Sequence, residues 1–153
     1  MNESDTTKAI DQLNNIMELE LAGVVRYTHY SLMVFGYNRI PIVGWLKSNA
    51  EESLQHAHMA GEMVTLLGGH PSLKIGPLLE TGHHDIGDIM RESLTHEQIA
   101  LDSYYALLKI VDGHSVTLEE YAREMIRNEE MHLDEVNKML RKPGETRPFK
   151  LED

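Results

Sequence analysis

Five prolines punctuate this chain, at Pro41, Pro71, Pro77, Pro143 and Pro148, and the stretches they leave intact repeat their apolar residues at spacings of three and four. That period belongs to helices, whereas strands alternate every second residue. The spacing predicts helices over approximately 7–36, 41–68, 85–112 and 116–141. The breaks Gly36-Tyr37-Asn38-Arg39 and Asp112-Gly113-His114 are short enough to join antiparallel neighbours. The segment from Gly68-Gly69-His70-Pro71 to His83-His84-Asp85 is longer, and fits one crossover between two hairpins. The fold expected is all-α: a four-helix up-down bundle with one long crossover. A chain of 153 residues reads as one domain, 1–153, with its bundle over about 7–141 and a C-terminal tail over 142–153.

Polar side chains interrupt the apolar series at matching places. The first helix runs Leu13, Glu20, Tyr27, and the third runs Met90, Glu97, Tyr104, Val111, so each sets a glutamate on its apolar stripe with a tyrosine one heptad later. The fourth runs Leu118, Met125, His132, Met139 beside Ala122, Glu129, Val136, which puts the Glu-x-x-His pair Glu129 and His132 among core positions. In the second helix the series Trp45, Glu52, Met59, Leu66 carries Glu52, followed by His56. Glu20 and Glu52 are as far apart as Glu97 and Glu129, so both halves repeat the order Glu, Tyr, Glu, His.

A carboxylate or imidazole in a hydrocarbon core is costly unless something pairs with it. Two lone glutamates and two Glu–His pairs aimed inward are the donors of a dinuclear metal site. The expected ligands are Glu20, Glu52, His56, Glu97, Glu129 and His132. This oxygen-rich, nitrogen-poor set suits iron or manganese, with positions left for dioxygen or hydrogen peroxide. The halves differ in one respect: Glu52 and His56 are four apart, where Glu129 and His132 are three apart. A π-bulge between about 48 and 58 would absorb the extra residue. The other arrangement leaves the His56 metal held through Glu20 and Glu97.

Composition narrows the class. Without cysteine there are no disulfides, thiolate zinc sites, iron–sulfur clusters or thiol nucleophiles. A formal net charge of −11 argues against nucleic acid as a partner. No run approaches the about 20 apolar residues of a membrane span, and the polar start Met1-Asn-Glu-Ser-Asp holds no signal core, so a cytoplasmic protein is expected.

The chain resembles the ferritin-like superfamily, bacterioferritin in particular, over residues 8–141. The likeness is carried by Glu20-Leu-Ala-Gly-Val-Val-Arg-Tyr27, Glu52-Ser-Leu-Gln-His-Ala57, Leu94-Thr-His-Glu97 and Arg127-Asn-Glu-Glu-Met-His132. The resemblance implies an iron-storage or iron-detoxifying ferroxidase. Its two irons would be bound by residues including Glu20, His56, Glu97, Glu129 and His132, with Tyr27 beside the site and a hollow homo-oligomeric cage around it. Three departures stand out. Ser53 occupies the place of a bridging carboxylate, so Glu52 must substitute or the site is asymmetric. Leu54 occupies the place of the haem-ligating methionine, so haem is not expected. The ending Pro148-Phe-Lys-Leu-Glu-Asp153 leaves little room for a short fifth helix. The alternative is a dinuclear iron or manganese oxidoreductase without storage, such as a peroxide-reducing enzyme.

Overall fold

A computed structural model describes residues 1–151; Glu152 and Asp153, at the end of the expected tail, lie outside the described residues. Four helices follow one another: α1 (Glu3–Met33), α2 (Arg39–Leu66), α3 (Ile86–Val111) and α4 (Val116–Leu140). The expected four-helix bundle is what forms, and among the described residues there is no strand. α1 starts earlier than the apolar period indicates. Asn2 caps it by accepting the Asp5 amide at 2.7 Å, and Glu3 and Asp5 face the positive end of the helix dipole. Asp85 and Ser115 cap α3 and α4 in the same way, accepting from Gly87 and Leu118. At the other end of α1, the Arg39 guanidinium donates to the Val34 carbonyl at 2.9 Å and so closes the turn into α2.

α1 packs along α2, α3 along α4, and α1 against α3. Among the described residues no equally close backbone approach joins α2 to α4. Side chains span that wider side instead, through His56 with Glu129 and Trp45 with His132. The apolar core comes in two parts. One holds Leu13, Ile16, Val64, Leu107, Val111, Leu118 and Met125; the other holds Tyr27, Val34, Leu46, Ile89 and Met90. Between them lies a buried polar layer containing Glu20, His56, Glu97 and Glu129.

α2 departs from expectation in two ways. Its buried side is Leu46, Asn49, Ala50, Ser53, His56, Ala57, Ala60 and Val64, rotated from the series Trp45, Glu52, Met59, Leu66. Glu52 and Leu66 are exposed. The small side chains are what let α1 approach: a Cβ added at Gly23 would lie 2.9 Å from the Ser53 hydroxyl oxygen. The second departure is regularity. α2 is α-helical throughout, so the π-bulge between 48 and 58 does not form.

The crossover is extended and tied to α1. Gly76 donates its amide to the Glu18 carbonyl at 2.8 Å, an approach that a side chain at position 76 would obstruct. Asn14 both donates to the His70 carbonyl and accepts from the Ser72 amide.

Candidate metal centre

Glu20, His56 and Glu129 each turn one donor atom into a common space, all within 4.8 Å of one another, and all three residues are buried. The His56 Nδ1 atom lies 3.5 Å from Glu20 Oε1 and 3.6 Å from Glu129 Oε1. In the other half, His132 Nε2 lies 3.6 Å from Glu97 Oε1. Each half therefore contributes a Glu–His pair, and Glu129 reaches from α4 across to the His56 side.

The two tyrosines cross-link the halves. Tyr27 of α1 donates to Glu97 of α3 at 2.5 Å, and Tyr104 of α3 donates to Glu20 of α1 at 2.9 Å. Burial first, then the adjacent carboxylate (Glu97 for Tyr27, Glu20 for Tyr104), pushes both phenols well above their usual value of 10.0. Both stay protonated and remain donors.

His132 sits in an aromatic holder that the sequence did not reveal. Trp45 stacks on its ring, with centroids 5.9 Å apart and planes within 4°, and Tyr27 meets the same ring edge-on at 6.3 Å. Only the folded bundle brings residues 45 and 132 together. His96 is a second surprise: it neighbours Glu97, and it is buried rather than turned to solvent like His58. Its Nε2 lies against Gly23, and burial lowers its pKa.

Glu52 is the expected ligand that stands apart. It lines the same pocket, but its side chain is 48% exposed and faces Nε2 of His56 at 3.6 Å, the ring nitrogen opposite the one facing Glu20 and Glu129. Asn49 and Ser53 line the pocket beside it.

Three buried carboxylates in one layer are poorly compensated by the protein itself. Among the described residues their ion-pair partners are the two histidines, with no lysine or arginine. Oε2 of Glu129 is buried without any hydrogen-bond partner. An unsatisfied buried carboxylate oxygen in an O-rich, N-poor cluster is what a multivalent cation would complete.

The electrostatics give a pH dependence. Burial raises the Glu20 carboxyl above 4.5, and burial followed by the Glu97 charge pushes Glu129 well above it. Burial opposes ionisation of Glu97 too, but Glu129, His132 and His96 together bring it below 4.5. Burial disfavours charge on His56, yet Glu20 and Glu52 raise it above 6.5. Glu20 and Glu129 therefore keep protons in the metal-free folded state that the unfolded chain releases above pH 4.5. Stability falls as pH rises from there through their folded values, and His56 adds a loss as pH passes its own folded value above 6.5. Glu97 acts oppositely, but only below 4.5. The midpoint of thermal unfolding of chelator-treated protein should decline as pH rises from 4.5, and Mn²⁺ should reverse that decline by taking the place of protons. A flat or rising midpoint would sink this account.

The family model of the ferritin-like domain matches residues 10–144. The chain belongs to the ferritin-like family. Solved structures agree on the fold. A ferritin-like diiron-carboxylate protein from Bacillus anthracis superposes with a TM-score of 0.85 at 21% identity, over 92% of this chain and 100% of that one. The bacterioferritin of Desulfovibrio desulfuricans, whose diiron site was studied in several catalytic states, gives 0.80 at 24% identity over 92% and 82%. A dodecameric thioferritin from Bacteroides fragilis, described as bacterioferritin-related, gives 0.79 at 23% over 88% and 85%. No curated protein matches in sequence. Among the described residues, no helix is long and apolar enough to cross a membrane.

Proposed function

We propose that this ferritin-like protein is a ferroxidase serving iron storage or detoxification, with ferrous iron as substrate. The observation that carries the reading is the buried, lysine- and arginine-free cluster of Glu20, Glu97 and Glu129 around His56 and His132, with one glutamate oxygen left without a partner. The Bacillus anthracis and Desulfovibrio desulfuricans structures, described as diiron proteins, support it by their shared fold.

In this reading Glu20 with His56 holds one ferrous ion, Glu97 with His132 holds the other, and Glu129 lies between them. Manganese is compatible with the same donors. The two ions give up one electron each; the pair reduces hydrogen peroxide to water, or dioxygen to hydrogen peroxide, with uptake of two protons. The chain's own contribution is geometric and electrostatic. Tyr27 and Tyr104 fix the orientation of Glu97 and Glu20, and Trp45 holds the His132 ring in place. Glu52, facing the opposite nitrogen of His56, orients that ring from the solvent side rather than bridging two ions. Position 53 offers a hydroxyl, so the site is asymmetric, with a single carboxylate between its halves.

The bacterioferritin of Rhodobacter capsulatus is described with haem iron; Leu54 here gives no atom that could ligate one. Self-association is part of the proposal, supported by the dodecameric Bacteroides fragilis relative and by the apolar side chains Leu32, Phe35, Tyr37 and Ile40 exposed at the α1–α2 turn.

The test is anaerobic Fe²⁺ titration followed by mixing with dioxygen or peroxide. Two ions per chain should bind, ferric absorbance should continue to grow with further iron, and purified protein should show no Soret band. Absence of oxidation would overturn the ferroxidase reading. Oxidation that stops at two ions per chain would instead favour a non-storage oxidoreductase.

A further inference from the structure

A second convergence of metal-binding side chains lies on the other side of α1, where the crossover returns toward α3. His29 Nε2 is 2.7 Å from Glu80 Oε2, His84 Nε2 is 3.4 Å from Glu80 Oε1, and the two imidazole nitrogens are 3.4 Å from each other. Bonds of about 2.1 Å at the tetrahedral angle place neighbouring donor atoms about 3.4 Å apart. The two imidazole nitrogens match that spacing, as does His84 with Oε1 of Glu80; His29 meets the other oxygen, Oε2, at 2.7 Å, so a rotation of the carboxylate would bring one oxygen to both rings.

The arrangement is set by the backbone. Gly82, with φ +72°, turns the chain, and its amide donates to Glu80 at 2.6 Å, which brings His84 back beside Glu80. Thr81 between them is held to α3 by its bond to Glu92 at 2.5 Å, and Tyr30 donates to the same carboxylate at 2.6 Å. Glu80 and His84 are thus presented toward α1 from an anchored loop. Without a metal, the two facing ring nitrogens share one proton as an N–H···N hydrogen bond. One dication between them would satisfy both and neutralise Glu80. An adjoining cavity of about 200 Å³, lined by Val25, Arg26, Leu78 and Leu79, leaves room for water on the ion.

We propose that His29, Glu80 and His84 form a second metal site, binding one divalent ion of the zinc class between α1 and the crossover. Two imidazoles and one carboxylate favour Zn²⁺ or Co²⁺ over Mn²⁺, the reverse of the oxygen-rich buried centre. The site is separate from that centre and does not depend on the ferroxidase reading.

The experiment is calorimetric titration of the whole protein with Zn²⁺, and visible absorption after loading with Co²⁺. His29→Ala and His84→Ala should each lose one equivalent of Zn²⁺ and the tetrahedral Co²⁺ band belonging to it. Glu129→Leu, which alters only the buried centre, should keep both, and equimolar Mn²⁺ should not displace that equivalent. Unchanged stoichiometry and spectra in both histidine variants would overturn the proposal. So would loss of the same equivalent in Glu129→Leu, or its displacement by Mn²⁺.

Discussion

Glu129→Leu should make the metal-free protein more stable while abolishing most of its ferrous oxidation. The wild-type carboxyl is buried, has an oxygen without a partner, and shares its layer with Glu20 and Glu97. A buried polar group left without a hydrogen-bond partner costs about 1–3 kcal/mol, which a hydrocarbon of similar size avoids. The same change removes the carboxylate that, among the described residues, reaches from the Glu97–His132 hairpin to His56. Oxidation of Fe²⁺ should slow by roughly 100-fold or more, since perturbing groups outside the ligand shell already costs about 10–100-fold in metal sites. Thermal unfolding after chelation and stopped-flow oxidation measure the two effects on one sample. A variant less stable than wild type and equally active would mean that Glu129 is an ordinary core residue.

His132→Ala should leave one half of the centre intact. Glu20, His56 and Glu129 remain grouped, while Glu97 keeps its bond from Tyr27 and loses its imidazole. Anaerobic Fe²⁺ binding should fall from two ions per chain to one, and oxidation should slow at least about tenfold. The Trp45 stack also disappears, so some quenching of indole fluorescence by bound iron should be lost with it. Retention of two ions and of the wild-type rate would remove His132 from the site.

The periodic helices were legible because their buried residues are large. In α1 and α3 the series through Leu13 and Met90 lead to Glu20 and Glu97, in α4 the series beside Leu118 leads from Ala122 to Glu129, and each of these glutamates is buried. α2 misled because its large residues lie on the wrong side. Trp45 and Leu66 suggest one stripe, while the packed surface is built from Ala50, Ser53, Ala57 and Ala60, whose small size lets α1 come close. A search for small residues at helical spacing would have found it and placed Glu52 at the rim. The Trp45–His132 stack and the His29–Glu80–His84 group were not legible, since each joins segments that only the folded topology brings together. Glu80 itself carries no periodic signal, lying in extended chain.

The crossed tyrosines affect how the protein can assemble. Each hairpin carries its own Glu–His pair, yet the phenol that holds the glutamate arrives from the opposite hairpin. A hairpin expressed alone would keep Glu20 near His56, or Glu97 near His132, without the donor that orients the carboxylate. The two hairpins are therefore interdependent parts rather than two working half-enzymes. Their docking is also what brings Glu20, Glu97 and Glu129 into one buried layer, so a cation bound there would hold the two hairpins together.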